Sequence, residues 1–402
     1  VSLSIRQARE EDLPAIARVG SQAFPKMDAQ ARLRELRENP RVRVEDILVA
    51  EEEGELRGIA TVYPMTVWWS GVEWPAGGLA SVAVAPEARR RGVARRLCES
   101  AVDRLRERNV PICLLYPFDH RFYTALGWTL VGLSRHVSVG CASLPRGGDG
   151  RVVWLDLAQR AEEIQACHSR WLQARGVGLP RHPAVWTRLF RERWQWFGVQ
   201  GGAGLDGHMA IAPRQTADEL VQNLEVGELV GLTPEAHAAL FAALRDQEAQ
   251  IDRVELALPF ETPVEFLLEN PRAHGEPSLS CGVFACSRIG TGAMVRVLDW
   301  TQLMAGAPPR RHTLRQTLLL ALRGGPQWRL NQEGQWLEVD QDRADITVSV
   351  DEPTLTQIIW GALSLSQAVA WGRAEIRGSV DLRAIEPLFS QPSLFIPRWD
   401  SF

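Results

Sequence analysis

Arg89-Arg90-Arg91-Gly92-Val93-Ala94 is the stretch of this 402-residue chain best equipped for chemistry. Guanidinium groups carry planar forks of donors that match phosphate oxygens. Upstream, Leu79 to Ala85 is almost wholly apolar and Pro86 ends the run, which reads as a strand covered on both faces. Downstream, Val93, Leu97, Ala101 and Leu105 recur every fourth position, as one face of a helix does. The arginines therefore fall on a strand-to-helix turn. A helix N-terminus offers unpaired N–H groups and a partial positive charge to an anion. Gly92 lets the backbone approach a ligand closely, and Ala94 keeps the first turn uncrowded. A solvated basic turn without a ligand is the plainer alternative, and a nucleic-acid patch is a third. The place of the arginines, at the junction and not along a helix face, favours a phosphate cradle.

The elements that position this turn form a strand–helix–strand unit. After the helix comes the apolar strand Ile112 to Tyr116, parallel to the first. Ligands in such sheets bind beyond the carboxyl ends of the strands. Before them, the sequence predicts a strand at Leu3 to Ala8, helices at 12–24 and 29–37, and strands at 47–52 and 56–68. The pattern Arg89-x-x-Gly92-x-Ala94 after such a strand resembles the coenzyme A pyrophosphate loop of the GNAT superfamily of N-acetyltransferases. The resemblance implies that Ser81, Val82, Ala83 and Val84 pair with the pantetheine arm, and that Arg89, Arg90, Arg91, Gly92, Val93 and Ala94 hold the pyrophosphate. The segment Phe122-Tyr123-Thr124-Ala125-Leu126-Gly127-Trp128 resembles the one that follows in that superfamily. It implies that the Tyr123 hydroxyl lies near the coenzyme thiol, where a phenol of pKa about 10 can protonate a leaving thiolate. A core Tyr123 is the structural alternative, and Tyr116 is the second candidate among the three tyrosines.

Gly147-Gly148-Asp149-Gly150 reads as a linker. Beyond it, Leu229 to Ala236 echoes Ser81 to Ala88, followed by a helix at 238–247 and a strand at 254–258. His237-Ala238-Ala239-Leu240 replaces the basic glycine turn, so this second GNAT-like segment lacks a phosphate site. Trp186, Trp194 and Trp196, interleaved with Arg188, Arg191 and Arg193, read as a helical segment. They could stack on nucleic acid, but packing is the simpler account. From about residue 293 the texture is α+β, with a strand at 294–298, an apolar helix at 315–322, a meander through 327–350, a helix at 353–360 and a strand at 374–378. This layout resembles the sterol-carrier-protein fold. The expected architecture is thus α/β and α+β: tandem GNAT folds, active over 1–150 and degenerate over 151–290, then a sterol-carrier-like domain over 291–402.

That order resembles the Eis (enhanced intracellular survival) acetyltransferases, most specifically at Val82 to Leu97, at Phe122 to Trp128 and at Ser401-Phe402. The resemblance implies transfer of an acetyl group from acetyl-CoA to an amine, either a Lys side chain or an aminoglycoside-like molecule. It implies that the α-carboxylate of a terminal aromatic residue, here Phe402, is the base, with Tyr123 as acid. It also implies a homo-oligomer, up to a hexamer. No ionisable residue lies on Leu79 to Ala85, and the tail, stiffened by Pro392 and Pro397 and made apolar by Phe395, Ile396, Trp399 and Phe402, is expected to dock. Lys26 stands where some relatives are acidic, and Ser401 replaces an acidic penultimate residue beside Asp400. A coenzyme A sensor without turnover and a lipid-binding protein remain as alternatives. Composition is globular, 45% hydrophobic and 23% charged, with net charge −4, which argues against a nucleic-acid partner. No apolar run is long enough for a membrane span and no signal peptide starts the chain, so a cytoplasmic, membrane-free protein is expected. The six cysteines (98, 113, 141, 167, 281, 286) have no metal spacing, and no metal is expected.

Overall fold

A computed structural model of the chain describes residues 3–24, 28–147, 151–214, 222–271, 286–340 and 342–402. Lys26, Cys281 and residues 148–150 of the expected linker lie outside them. In chain order the first elements are β1 (Ser4–Gln7), α1 (Leu13–Ala23), α2 (Ala29–Glu38), β2 (Ile47–Glu52), β3 (Glu55–Trp69), β4 (Val72–Val84), α3 (Val93–Glu107), β5 (Ile112–Leu115), α4 (His120–Thr124) and β6 (Thr129–Leu130). Next come β7 (Leu133–Gly140), β8 (Val152–Trp154), α5 (Leu157–Arg175), α6 (Pro183–Leu189), β9 (Gln195–Gly201), β10 (Gly204–Arg214), β11 (Asn223–Gly231), α7 (Pro234–Arg245), β12 (Arg253–Pro259), α8 (Val264–Leu267) and β13 (Ser287–Thr291). The last are β14 (Met294–Val297), α9 (Trp300–Gly306), β15 (Leu318–Leu322), β16 (Gln327–Leu330), β17 (Trp336–Val339), β18 (Ile346–Val350), α10 (Glu352–Ile359), α11 (Leu365–Ala370), β19 (Ala374–Arg377) and α12 (Leu382–Ile385). Among the described residues no helix is long and apolar enough to cross a membrane.

The chain divides into two units. One comprises Val1–Val131, Ala293–Gln391 and Phe402; the other comprises Gly132–Gly292 and Pro392–Ser401. In the first unit a sheet runs β1-β2-β3-β4-β5-β14-β6. β4 and β5 are parallel, as the strand–helix–strand order requires. α3 covers the sheet with Val93, Leu97, Ala101 and Leu105, all buried, so the four-residue period was the core face. β14 comes from far downstream and pairs antiparallel with β5, Met294 opposite Leu115 and Val297 opposite Ile112. The strand expected to open the third domain is thus a member of the first sheet. The opposite correction applies to β7, which falls within the expected first domain but pairs with β12 and β13 in the second unit. The boundaries expected at 150 and 290 both fall inside the second unit, which interrupts the first. Strand partners are long-range choices: β5 is buried along its whole length and needs a neighbour on each edge, and nothing local in its sequence names the second one.

The second unit has a sheet in the order β13-β7-β12-β11-β10-β9-β8, again with one parallel pair, β11 with β12. α7 packs on it through Ala236, Ala239, Leu240 and Leu244. At its N-terminus the Thr233 hydroxyl accepts from the Ala236 N–H at 3.1 Å and Pro234 takes the first position, so the helix end is capped by the chain itself. Trp186 lies on α6, but Trp194 precedes β9 and Trp196 is on it, in place of the expected single helical segment. These rings pack within the unit, Trp196 against Trp186, Phe190 and Trp399.

The remaining sheet belongs to the first unit and runs β17-β16-β15-β18-β19. The helix expected over 315–322 is instead β15, paired in parallel with β18. An apolar run of this length reads alike in a buried helix and a buried strand, and five residues are too few for a stable helix. Asp351 caps α10 as expected, accepting from the Thr354 N–H at 2.8 Å. We expect Leu114→Ala, in the fully buried middle of β5, to cost about 2–5 kcal/mol. In hydrogen exchange the loss should appear in β4, β5 and β14 and leave β9 to β12 unchanged. A uniform loss would show that the two units unfold together.

Candidate active site

The register of β4 sets up the site. It pairs with β5 from Ala76 opposite Ile112 to Leu79 opposite Leu115, and there the pairing stops. On the other edge the register with β3 slips between Ile59 opposite Ala83 and Thr61 opposite Ala80. The extra residue makes a bulge, with Ser81 at a φ of 52°. Leu79, Ala83 and Ala85 are buried, whereas Ala80, Ser81, Val82 and Val84 are half-buried. The expectation of a strand covered on both faces fails over this stretch, where the side chains are half-buried and one edge has also lost its neighbour. An unpaired strand edge is a ready partner for an extended ligand.

β4 leads directly into the arginine turn. Arg90 and Gly92 have φ of 60° and 79°, on either side of Arg91. Alternating handedness of this kind aims successive N–H groups into one concavity, which suits an anion. A Cβ at Gly92 would meet nothing within 4 Å, so the concavity is open. The first hydrogen bond inside α3 runs from the Arg96 N–H to the Gly92 carbonyl at 3.1 Å, leaving the N–H groups of Val93, Ala94 and Arg95 without helical partners. Arg89 and Arg90 are exposed. Arg91 is not a free phosphate donor: it forks onto the Glu52 carboxylate, with Nη1 3.0 Å from Oε2 and Nη2 on Oε1. Arg57 stands 3.8 Å from the same carboxylate and 3.1 Å from Glu87. Hydrogen bonding from Arg91 holds the Glu52 carboxyl below its ordinary pKa. Arg91 thus ties the turn to β2, while Arg89 donates from Nε to the Val84 carbonyl at 3.4 Å and both Arg89 and Arg90 stay exposed.

Tyr123 sits on α4, whose start is capped by Asp119 accepting from the Arg121 N–H at 2.8 Å. Its ring is buried, 3% exposed, with Phe122, Phe118 and Trp128 at 5.0, 5.4 and 6.0 Å. Burial pushes its phenol above the ordinary value, so the group is fully protonated at neutral pH. It is both core residue and candidate acid. Phe402 is placed elsewhere. Its ring lies 5.6 Å from Tyr116 and 6.3 Å from Tyr63, and it presses on the backbone of β4 at Gly78. A Cβ on Gly78 would stand 2.7 Å from the ring and 2.8 Å from the Met65 sulfur. Phe402 is therefore grouped with Tyr116, the second tyrosine candidate. Arg41 lies 5.4 Å over the Tyr63 ring, and burial pushes the Tyr63 phenol up.

Tyr63, Met65 and Arg41 escaped the sequence reading, because each looks like an ordinary strand or loop residue. Gly78 carried a readable signal. A glycine inside a strand marks close approach of another group. The buried thiols of Cys98 and Cys113, pushed up to about 12 by burial, carry no charge for chemistry. A cleft of about 500 Å³ lies in the second unit, where the pairing of β11 and β12 ends at Val226 and Leu256, lined by Trp171, Gly227, Ala257, Phe395 and Trp399 among others.

The fold and this turn define a class. Residues 4–131 match the family model described as an acetyltransferase (GNAT) domain, and residues 178–297 match a second acetyltransferase (GNAT) domain model. The chain belongs to the GNAT superfamily, with two such folds in tandem. Within it the chain is Eis-like. It is 29% identical over 210 residues to the N-acetyltransferase Eis of Mycobacterium tuberculosis, a match spanning 49% of this chain and about half, 51%, of that relative. Across the full length of both chains, its fold is similar to that of Eis1 from Mycobacterium abscessus, with a TM-score of 0.76 and 19% identity. It is similar over the same extent to a GCN5-related N-acetyltransferase from Anabaena variabilis, with a TM-score of 0.79 and 18% identity.

Gly78→Ala should displace the Phe402 ring, because the new methyl and the ring cannot share the space. Loss of the NOE between the ring and residue 78, with the rest of the spectrum unchanged, would show it. A retained NOE would mean that β4 itself shifts. The Glu52–Arg91 tether should be intact at neutral pH and lost as pH falls through the lowered Glu52 value, since protonation removes the charge that Arg91 binds. Glu52→Gln should therefore reduce protection of amides 89–92 at pH 7 and abolish its acid dependence. Protection equal to wild type would exclude the tether.

Proposed function

We propose that the chain transfers an acetyl group from acetyl-CoA to the amine of a small molecule or a Lys side chain. The observation that supports this most is the unpaired edge of β4 running straight into an open, N–H-rich turn at the start of α3. A coenzyme with an amide-bearing arm and a pyrophosphate fits both parts. The arm would pair along Ser81, Val82, Ala83 and Val84. The pyrophosphate would lie at Gly92, Val93 and Ala94, with Arg89 and Arg90 adding charge. Arg91 supports the turn from Glu52 in this reading. Acetyl-CoA supplies the activated acyl group.

The chain's own groups would manage the protons. A backbone N–H near Val82 would polarise the acyl oxygen. As the amine nitrogen bonds to the acyl carbon and the carbon–sulfur bond breaks, the amine proton passes to a base and the sulfur takes one from Tyr123. Where the chain ends at Phe402, its α-carboxylate is the base, and the phenyl ring against Gly78 anchors it. A free α-carboxyl group has a pKa of about 3.5 and a Lys ammonium about 10.4, so the amine must reach the site already neutral or lose its proton through water. Tyr116, next to Phe402, is the competing acid.

We further infer that residues 298–391 form the sterol-carrier-like layer and that the protein works in the cytoplasm as a homo-oligomer, up to a hexamer. Lipid carriage is the weaker reading. The cavity bounded by Trp69, Met304, Trp336 and Leu388 is about 20 Å³, room for a single water and not for an acyl chain.

A panel of amines assayed for free-thiol release tests the activity. Tight acetyl-CoA binding with no thiol release from any amine would leave a coenzyme sensor. Arg89→Ala with Arg90→Ala should raise KM for acetyl-CoA about tenfold and leave the melting temperature unchanged. Tyr123→Phe should lower kcat by roughly 10²-fold with little change in that KM. If Tyr116→Phe does this instead, Tyr116 is the acid.

A further inference from the structure

Two cations stand over β4 on the face opposite α3, and the chemistry above uses neither. A Cβ at Gly77 would strike Leu105 of α3, whereas one at Gly78 would strike the Phe402 ring, so the ring lies on the other face. α1 covers that face, its Ile16 and Val19 packing in one core with Ala83 and Ala85. α2 follows and carries Arg32. The Arg32 stem lies against α1 at Gly20, where a Cβ would collide with its Cδ and Nε. Its guanidinium is 5.5 Å over the Phe24 ring, and Nη2 donates to the hydroxyl of Ser81, the bulge residue of β4, at 3.2 Å.

Arg32 is thus held in place, yet most of its donors are idle. A guanidinium has five N–H groups. Among the described residues it has one hydrogen-bond partner, Ser81, and pairs with no carboxylate. Its Nε is shut off from water without a partner. A half-buried cation without a counter-charge is costly to hold. The second cation, Arg41, lies over Tyr63, which faces Gly78 across the β3–β4 register. The charges acting on the Tyr63 phenol are Arg41, Glu35 and Arg32, two positive and one negative. Gly78 and Ser81 are about 10 Å apart along the strand. The two guanidiniums therefore flank the stretch of β4 where, in the reading above, acyl group and amine meet.

We propose that Arg32, with Arg41 adding positive field, recognises a carboxylate on the acceptor, so that the substrate is an amine bearing an acid group, such as an amino acid, and not a polycation. This acceptor class rests on the acetyl-transfer reading above. The edge of a guanidinium meets a carboxylate with two parallel hydrogen bonds. An acceptor with several ammonium groups is disfavoured, because like charges brought together cost affinity. The same cations help the chemistry. They disfavour the ammonium form of the bound amine, which must lose its proton before it attacks. The exposed Phe24 ring beside the guanidinium suits an apolar body, which makes phenylalanine the first probe.

The test uses the full chain and three amines: phenylalanine, phenylalaninamide, which lacks the acid, and the polycation spermidine. kcat/KM for phenylalanine should exceed that for each of the others by about tenfold or more. The amide has the less basic amine, which works against this result and makes the comparison strict. Arg32→Gln should raise KM for phenylalanine about tenfold and leave kcat/KM for phenylalaninamide and KM for acetyl-CoA within about twofold. Arg32→Lys should recover part of the loss, since it restores the charge without the fork. Equal losses for acid and amide in Arg32→Gln would overturn the assignment, as would a wild-type preference for phenylalaninamide or spermidine. Binding is read without turnover from the Arg32 Nε–Hε resonance with coenzyme A present. Phenylalanine should shift it and phenylalaninamide should not. That shift in a chain that acetylates no amine would sink the proposed activity and keep the acid site. An equal response to both compounds, or to neither, would overturn the site.

Discussion

The site depends on one constraint: β4 and β5 pair only as far as Leu79 and Leu115. Beyond that register the edge of β4 that faced β5 keeps donors and acceptors that no neighbouring strand satisfies, while the other edge stays paired with β3, and a buried backbone group without a partner is costly. The bulge at Ser81 is the local means by which the strand changes course without ending, since an extra residue on one strand bends and twists it. The arginine turn and the start of α3 follow from where that strand delivers the chain. A ligand able to supply strand-like hydrogen bonds and a negative charge completes both features at once, and this physical match links the fold to coenzyme chemistry.

The second unit repeats the topology with different use. Its parallel pair, β11 and β12, also parts after four residues, at Val226 and Leu256. There the helix N-terminus is satisfied by Thr233, and Trp399 and Phe395 of the tail line the cleft left by the separating strands. The same divergence that offers a ligand edge in one fold receives the protein's own tail in the other. Arg181, its side chain fully buried, sits beneath that tail as a charge that the carboxylates of Glu228 and Asp400 compensate, an arrangement whose value lies in fixing one conformation more than in net stability.

The two tyrosine candidates illustrate the division between motif and environment. Tyr123 was found because its neighbours form a recognisable run, and its burial with Trp128 raises its pKa, which keeps the phenol protonated. Tyr116 was found only as the residue ending β5, yet it is the one beside Phe402. Of the three arginines, all of one type and adjacent, the tertiary structure commits one to Glu52, a residue 39 positions away. No feature of the triplet itself separates Arg91 from Arg89 and Arg90.

By itself the sequence determined what depends on short-range physics. The four-residue period of α3, the parallel β4–α3–β5 unit, the basic glycine turn at the strand-to-helix junction, the cap of α10 and the loss of a basic turn before α7 are all written within a few residues of where they act. Tertiary structure alone decided what depends on partners far along the chain. β14 closes the first sheet and β7 joins the second because buried strand edges must be paired, and many strands of similar composition could pair them. The apolar run Leu318–Leu322 became a strand because β18 and β16 flank it, not because of its own pattern. Phe402 reaches Gly78, and Asp400 reaches Arg181, through contacts separated by hundreds of residues, where shape and charge complementarity exist only after folding.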